Sequence, residues 1–197
     1  ISMGTVIPLK KEINNSYLEL KNLVGNKLED VSNLIKIKLA SEINLIQKMT
    51  DHHLTSGGKR IRPLLTLATS KLCGYKDGSR DINLAACVEL IHSATLLHDD
   101  VIDNSELRRG VKTSNSVWGN QSSILVGDYL FSRCFELMVS DGSIEILKLL
   151  SSTSSKIAQG EVLQLEHKGE IDVLEETYFN IINMKTAALF SAAARVG

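Results

Sequence analysis

The sequence ELIHSATLLHDDVID, residues 89–103, is an apolar segment that ends in three carboxylates. Apolar side chains at helical spacing predict one long buried helix from Asn83 to about Asp103. On this helix Asp99 and Asp103 lie one turn apart on the same face. Carboxylates at that spacing repel each other, so a helix with a purely structural role gains nothing from them. The segment therefore predicts a buried helix whose end concentrates negative charge.

A bound divalent cation would neutralise this negative charge. Mg²⁺ binds carboxylate oxygens, keeps some of its waters and takes further ligands from substrate phosphates. Arg108 and Arg109 follow shortly after the carboxylates, and a guanidinium group binds phosphate oxygens through two parallel hydrogen bonds. We therefore predict a site for a Mg²⁺-bound diphosphate. The alternative interpretation is a solvated acidic helix end that is followed by a basic loop.

A second basic segment, GGKRIRP at residues 57–63, precedes the long helix. Its glycines interrupt a helix and its proline suits the first turn of the next one. Lys59 and Arg62 are thus presented at a helix start, which attracts anions. His92 lies two turns before Asp99 on about the same helix face. The alternatives are an ordinary loop with solvated charges and a histidine that hydrogen-bonds within the core.

The composition restricts the class of protein. A chain of 197 residues with 43% hydrophobic residues suffices for one globular domain. With 22 basic and 23 acidic residues, no overall charge attracts nucleic acid or a membrane surface. No apolar run reaches the roughly 20 residues that span a bilayer, and no signal peptide is recognisable. We therefore predict a cytoplasmic protein with no nucleic-acid partner and no stable membrane insertion.

Two further features concern the cysteines and the first residues. Cys73, Cys87 and Cys134 occur in apolar helical contexts without metal-ligand spacing, so we predict three small buried residues in a reducing compartment. Ile1 and Ser2 precede Met3 and are interpreted as a cloning remnant.

Helical periodicity recurs along the whole chain. No segment alternates with period two for long enough to predict a strand. The predicted fold is an all-α helical bundle, a single domain over residues 1–197 whose polar groups converge on a central cavity. Asp128, within an apolar helix, is interpreted as a cap, a network member or a group that supports the site.

Six motifs in order carry a family resemblance: GGKRIRP, ELIHSATLLHDDVID, RRG, GDYLF, GEVLQL and KTAALF. From Gly57 onward the chain resembles the trans-isoprenyl diphosphate synthases (polyprenyl synthetases), most of all their long-chain bacterial branch. The resemblance implies the isoprenoid synthase fold and a homodimer. It also implies Mg²⁺-dependent, head-to-tail condensation of isopentenyl diphosphate onto an allylic diphosphate such as farnesyl diphosphate. The implied product is a long, octaprenyl-like diphosphate for quinone side chains.

The resemblance also implies roles for individual residues. Asp99 and Asp103 would bind Mg²⁺ on the allylic diphosphate. The other residues assigned to that diphosphate and its ionisation are Asp100, Arg108, Gln164, Lys185 and Thr186. The residues assigned to isopentenyl diphosphate are Lys59, Arg62, His92 and Arg109. The departing diphosphate would accept the proton that the product loses.

Product length is expected to depend on residues below the aspartates. Ala94 and Thr95 lie about one turn deeper on the helix, where bulky aromatic residues close the tunnel in short-chain members of the family. Both are small here, which favours a long product. Phe131, Phe135 or Met138 on the facing helix is predicted to form a deeper floor.

The chain departs from the family pattern in one respect, because its 197 residues contain no second aspartate-rich motif. Complete members are longer and carry that motif on the opposite wall. We therefore expect a chain that lacks its C-terminal part, or a natural short form, with little turnover by itself. The remaining alternatives are a shorter-chain synthase, a terpene cyclase and a non-catalytic subunit of a synthase.

Overall fold

A computed structural model of the chain describes residues 9–55 and 57–197. The expected cloning remnant, Ile1–Ser2, lies outside the described residues. Within them the chain is almost entirely helical, as predicted. The elements are α1 (Leu9–Val24), α2 (Lys27–Leu39), α3 (Asn44–Thr55), α4 (Ile61–Leu72), α5 (Arg80–Ile102), β1 (Leu107–Arg108), β2 (Val111–Lys112), α6 (Ser114–Trp118), α7 (Asn120–Asp141), α8 (Ile144–Glu166), α9 (Glu175–Ile182), a π-helix (Asn183–Ala187) and α10 (Ala188–Val196).

Helix α5 is the centre of the bundle. It is apolar on almost every side, and Ala85, Ile91 and Leu97 are all but inaccessible to solvent. A helix that is hydrophobic all round must be covered on several sides. Accordingly α7 packs along its length, and α2, α4 and α10 cover the remaining faces. This burial holds the carboxylates at the C-terminal end of α5 in a fixed position.

Helices α5 and α7 approach closely next to those carboxylates. A Cβ atom at Gly127 of α7 would collide with the imidazole of His98, so a larger residue there would displace that ring. The Ser123 hydroxyl donates a 3.0 Å hydrogen bond to the backbone carbonyl of Leu97. Both contacts fix the position of α5 along the axis of α7.

The structure corrects two sequence predictions. A small antiparallel hairpin pairs Leu107 with Lys112, although no strand was expected. Its two turn residues, Arg109 and Gly110, both have positive φ, at 53° and 81°, as a tight hairpin turn requires. The expectation of three buried cysteines is wrong for Cys73, which is exposed because α4 ends there. Cys87 and Cys134 are buried, as predicted.

Among residues 9–55 and 57–197, no helix combines the length and apolar character that a membrane crossing requires.

Candidate active site

A basic cavity of about 530 Å³ lies between α3, α4, α5 and the hairpin. It collects most of the cationic residues that the sequence singled out. Its predicted members are Lys59, Arg62, His92, Asp100, Arg108 and Arg109. Segments up to 50 residues apart in sequence thus converge on one volume of the size of a small ligand.

The arginines of this cavity are held by short-range contacts. The guanidinium of Arg62 lies 4.4 Å from the centre of the Phe190 ring, and its Nε is buried without a hydrogen-bond partner among the described residues. Arg109 donates a hydrogen bond to the backbone carbonyl of Gly57. The Tyr17 hydroxyl donates a 3.0 Å hydrogen bond to the carbonyl of Lys59. The cationic groups are therefore positioned before any anion arrives.

Burial changes the charge state of the other polar residues in the cavity. Desolvation and the nearby Arg62 lower the pKa of His92 to about 3, so its ring is neutral at pH 7. Desolvation also lowers the pKa of His53 to about 4. Burial raises the pKa of Glu89, against the opposing effect of Arg60 and the other arginines. Fixed guanidinium groups thus supply most of the positive charge in this cavity.

Asp100 is the partner of Arg108. Its buried carboxylate accepts hydrogen bonds from Nε and from a terminal nitrogen of Arg108, at 3.0 and 2.8 Å. The resemblance implied that Asp100 supports the other two aspartates, and that role stays a prediction. In the structure Asp100 orients Arg108 and points away from Asp99, because adjacent helical residues point in directions about 100° apart.

Asp99 has the opposite environment. Burial and the nearby carboxylates of Glu161 and Asp103 raise its pKa to about 6, although Lys185 and Arg108 act in the other direction. Asp103 follows one turn later at the end of α5 and is exposed. The two carboxylates therefore form an excess of negative charge that a cation would relieve.

Lys185 faces this charge from the π-helix. Its ammonium group donates hydrogen bonds to Glu161 Oε2 at 2.8 Å and to Gln164 Oε1 at 3.2 Å. Gly160 permits this arrangement, since a Cβ atom there would lie 2.9 Å from the Lys185 backbone nitrogen. A π-helix is uncommon and often marks a functional site. Thr186, on the same turn, is exposed.

A second cavity, of about 660 Å³, adjoins the aspartate end of α5. It brings together two predicted site residues, Asp103 and Gln164, with Glu161 and with apolar residues. The apolar residues that line it include Ile102, Tyr178 and Ile182. The two cavities lie on either side of the end of α5, one dominated by cations and the other by carboxylates and apolar groups.

The donor set suits Mg²⁺. In the described part of the chain no group of three or more His, Cys, Asp or Glu residues is close enough to hold a metal ion. Mg²⁺ does not need such a cage, because it commonly binds one or two carboxylates and takes its other ligands from water and substrate phosphates. Asp99 and Asp103 provide carboxylate oxygens, and Glu161 has a buried Oε1 with no partner among the described residues. These residues fit a hard divalent cation.

The predicted product-length residues differ in their surroundings. Ala94 is fully buried, and Thr95 donates a 2.8 Å hydrogen bond to the carbonyl of His92. Met138 is buried, whereas the Phe131 ring stacks on His98 at 6.3 Å, next to the aspartates. Phe135 is 45% exposed. The role of Phe131, Phe135 or Met138 as a deeper floor stays a prediction.

Sequence reasoning missed several residues of the site. His53 lines the basic cavity without any motif to mark it, and Phe190 lines it as the last residue of the KTAALF motif, where no role was assigned to it. Glu89 could have been noticed, because it precedes His92 by three residues on the same helix face. Glu161 stands 24 residues before its partner Lys185, so no local pattern connects them. Asp128, the possible supporting group, is largely exposed and lies 3.5 Å from the ring of His98.

Comparison with known proteins identifies related chains. The family model for polyprenyl synthetases matches residues 43–197. The chain is 45% identical over 150 residues to octaprenyl diphosphate synthase of Escherichia coli, covering 76% of this chain and 46% of that protein. It is 43% identical over 148 residues to an all-trans-nonaprenyl-diphosphate synthase of Rhodobacter capsulatus, covering 75% and 46%.

Solved structures agree with the sequence comparison. A decaprenyl diphosphate synthase from Rhodobacter capsulatus superimposes with a TM-score of 0.87 at 45% identity, covering 91% of this chain and 55% of that one. A polyprenyl synthase from Caulobacter crescentus, complexed with calcium and isoprenyl diphosphate, gives 0.88 at 43% identity and covers the same shares. The chain spans about half the length of the curated relatives that it matches. By its motifs, its fold and these relatives, the chain belongs to the polyprenyl synthetase family.

Proposed function

We propose that this chain carries the diphosphate-binding half of a trans-prenyltransferase. The reaction is the head-to-tail condensation of isopentenyl diphosphate with an allylic diphosphate. The observation that carries the proposal is the pair of cavities on either side of the end of α5. One is lined mainly by cations, and of its two carboxylates, Glu89 and Asp100, the second is paired with Arg108. The other contains Asp103 with Gln164 and Glu161. Two diphosphates that must play different roles need two such different sites.

The basic cavity is assigned to isopentenyl diphosphate. Lys59, Arg62 and Arg109 supply positive charge, and a neutral His92 supplies a hydrogen bond donor. Arginine forks bind phosphate oxygens bidentately and cannot lose their charge. Because this diphosphate is retained during the reaction, binding by fixed cations without a metal is sufficient.

The aspartate side is assigned to the allylic diphosphate. Asp99 and Asp103 would hold Mg²⁺, which neutralises the diphosphate and makes it a better leaving group. Arg108 lines the basic cavity and is oriented there by Asp100, and we assign its remaining donors to the allylic diphosphate. Lys185 adds a second fixed positive charge where negative charge develops as the C–O bond breaks. The π bond of isopentenyl diphosphate then attacks the allylic carbon, and the departing diphosphate accepts the proton that is lost.

A long polyprenyl product is part of the proposal. The small side chain of Ala94, which is fully buried, supports it, because the family resemblance places bulky aromatic residues at this position in short-chain members. The similar proteins include synthases of different product length. An octaprenyl diphosphate synthase is 45% identical, and a short-chain isoprenyl diphosphate synthase of Methanothermobacter thermautotrophicus is 39% identical. We also propose a role in making quinone side chains, a homodimer and a cytoplasmic location.

A condensation assay tests the proposal. The 197-residue chain and the product of the complete gene are each incubated with labelled isopentenyl diphosphate and farnesyl diphosphate, with Mg²⁺ or with EDTA. The expected result is Mg²⁺-dependent elongation to a long polyprenyl diphosphate by the complete gene product. Elongation in EDTA would contradict the metal assignment. No elongation by either protein would overturn the proposed synthase activity and favour a non-catalytic subunit or a cyclase.

A further inference from the structure

His53 lines the basic cavity, and the proposed reaction assigns no role to it. It stands in the last turn of α3 and is partly buried against the cavity. Its neighbour His52 is anchored, because its Nε2 lies 2.7 Å from the carbonyl of Lys112 and its ring packs against Trp118. In the part of the chain that the structure describes, no hydrogen bond restrains the ring of His53.

The charged surroundings of His53 come from three elements. Arg108 and Arg109 of the hairpin and His52 of α3 disfavour a positive charge on the ring, and Asp100 of α5 favours it. His92 of α5 acts on the same volume, since His53 in turn lowers the pKa of His92. Desolvation is the largest effect and leaves the ring neutral in the free protein, with a pKa of about 4.

We propose that His53 is an additional diphosphate-binding residue of the basic cavity, and that its imidazole takes up a proton when the diphosphate binds. This role rests on the proposed function, in which the cavity binds isopentenyl diphosphate. The proton bound by His53 comes from solvent, and both ring nitrogens then donate hydrogen bonds.

The size of the effect follows from the charge of the ligand. One negative charge at about 4 Å raises the pKa of a neighbouring group by about 3 at an effective dielectric constant of about 20. A diphosphate brings at least two charges. The pKa of His53 can therefore rise from about 4 to above neutrality in the complex. The last turn of α3 adds to this tendency, because the C-terminal end of a helix favours a cation.

Calorimetry in two buffers of different ionisation enthalpy measures the proton uptake directly. The 197-residue chain is titrated with isopentenyl diphosphate in EDTA, so that no diphosphate is held through a metal at the aspartates. The wild type, His53→Gln and a control, His167→Gln, are compared at pH 6.5 and pH 8.5. His167 lies outside the basic cavity and is paired with Glu170; it lines the second cavity, where EDTA removes any metal that could hold a diphosphate.

The expected result for the wild type is net uptake of about half a proton or more at pH 6.5. His53→Gln should weaken binding roughly tenfold at pH 6.5 and less at pH 8.5, because a charge-assisted hydrogen bond is lost only where the histidine is protonated. Proton uptake should fall in the same variant, and His167→Gln should behave as the wild type. In NMR spectra, the histidine resonance missing from His53→Gln should move to an imidazolium position when the wild type binds ligand.

Two outcomes would overturn the proposal in distinguishable ways. If His53→Gln binds with wild-type affinity, or loses affinity equally at both pH values with unchanged proton uptake, His53 takes up no proton and the proposed function stands. If the wild type itself produces no binding signal, or Arg62→Ala binds as tightly as the wild type, the basic cavity is not a diphosphate site. That second result would refute the proposed function together with the role of His53.

Discussion

Replacing Asp99 by asparagine is expected to stabilise the fold while it removes a ligand of the proposed metal site. In the unfolded chain an aspartate ionises with its usual pKa of 3.8, whereas burial and the neighbouring carboxylates raise the pKa of folded Asp99 to about 6. The folded protein therefore binds more protons than the unfolded chain between these values. By linkage, the contribution of Asp99 to stability is complete below pH 3.8 and is lost as the pH rises through about 6.

The magnitude follows from the same two values. A pKa difference of about 2 corresponds to about 3 kcal/mol, at 1.36 kcal/mol for each pKa unit. Asp99 is only partly buried, so solvent screening reduces this to about 1–2 kcal/mol. The neutral amide of asparagine has nearly the same shape as the carboxylate and carries no charge. We therefore expect Asp99→Asn to raise the free energy of unfolding by about 1–2 kcal/mol at pH 7.5.

Urea unfolding in EDTA at pH 7.5 and at pH 4 measures this difference. The gain should be present at pH 7.5 and nearly absent at pH 4, where folded Asp99 is already protonated. Asp172→Asn, at an exposed position outside both cavities, serves as the control and should change little at either pH. Mg²⁺ added in the presence of a diphosphate should further stabilise the wild type but not Asp99→Asn. Equal stability of wild type and Asp99→Asn at pH 7.5, or an equal gain at both pH values, would refute the electrostatic reasoning.

Three other substitutions test separate parts of the site. Asp100→Asn should lower the free energy of unfolding by about 2–4 kcal/mol in urea, because it leaves Arg108 without its buried partner; an unchanged value would contradict the importance of that pair. Gly160→Ala should cost about 1–3 kcal/mol in thermal unfolding, since its Cβ would meet the backbone of Lys185, whereas Ala158→Ser at an exposed position of the same helix should not. Ala94→Phe in the complete gene product should shorten the polyprenyl product on chromatography, and an unchanged long product would refute the tunnel below Asp99.

The long helices could be predicted from sequence because apolar periodicity is a local property. The expected helix from Asn83 to about Asp103 is observed as Arg80–Ile102. The hairpin could not be predicted in this way. Its strands are two residues long, and its first turn residue is Arg109, whereas asparagine or aspartate commonly marks such turns.

The candidate site was predictable where its residues form motifs and not where they depend on packing. Lys59, Arg62, His92 and Arg109 were expected to share a ligand, and the structure brings them to one cavity. The contact between Lys185 and Glu161 joins two helices, and it depends on a glycine whose importance appears only when both helices are in place. The charge states of the buried histidines likewise follow from desolvation, which no sequence pattern expresses.

The two adjacent aspartates illustrate why a motif alone does not assign roles. Asp99 and Asp100 are the same residue type, yet the first is destabilised by carboxylates and the second is satisfied by a bidentate arginine. The difference arises from the rotation of about 100° between neighbouring helical positions, which turns one side chain towards α8 and the other towards the hairpin. A substrate that requires both a metal and a fixed cation can use this pair at once. In the proposed site Asp99 contributes charge that would attract the metal, and Asp100 orients Arg108. The opposite signs expected for their asparagine substitutions follow from these two roles within one helical turn.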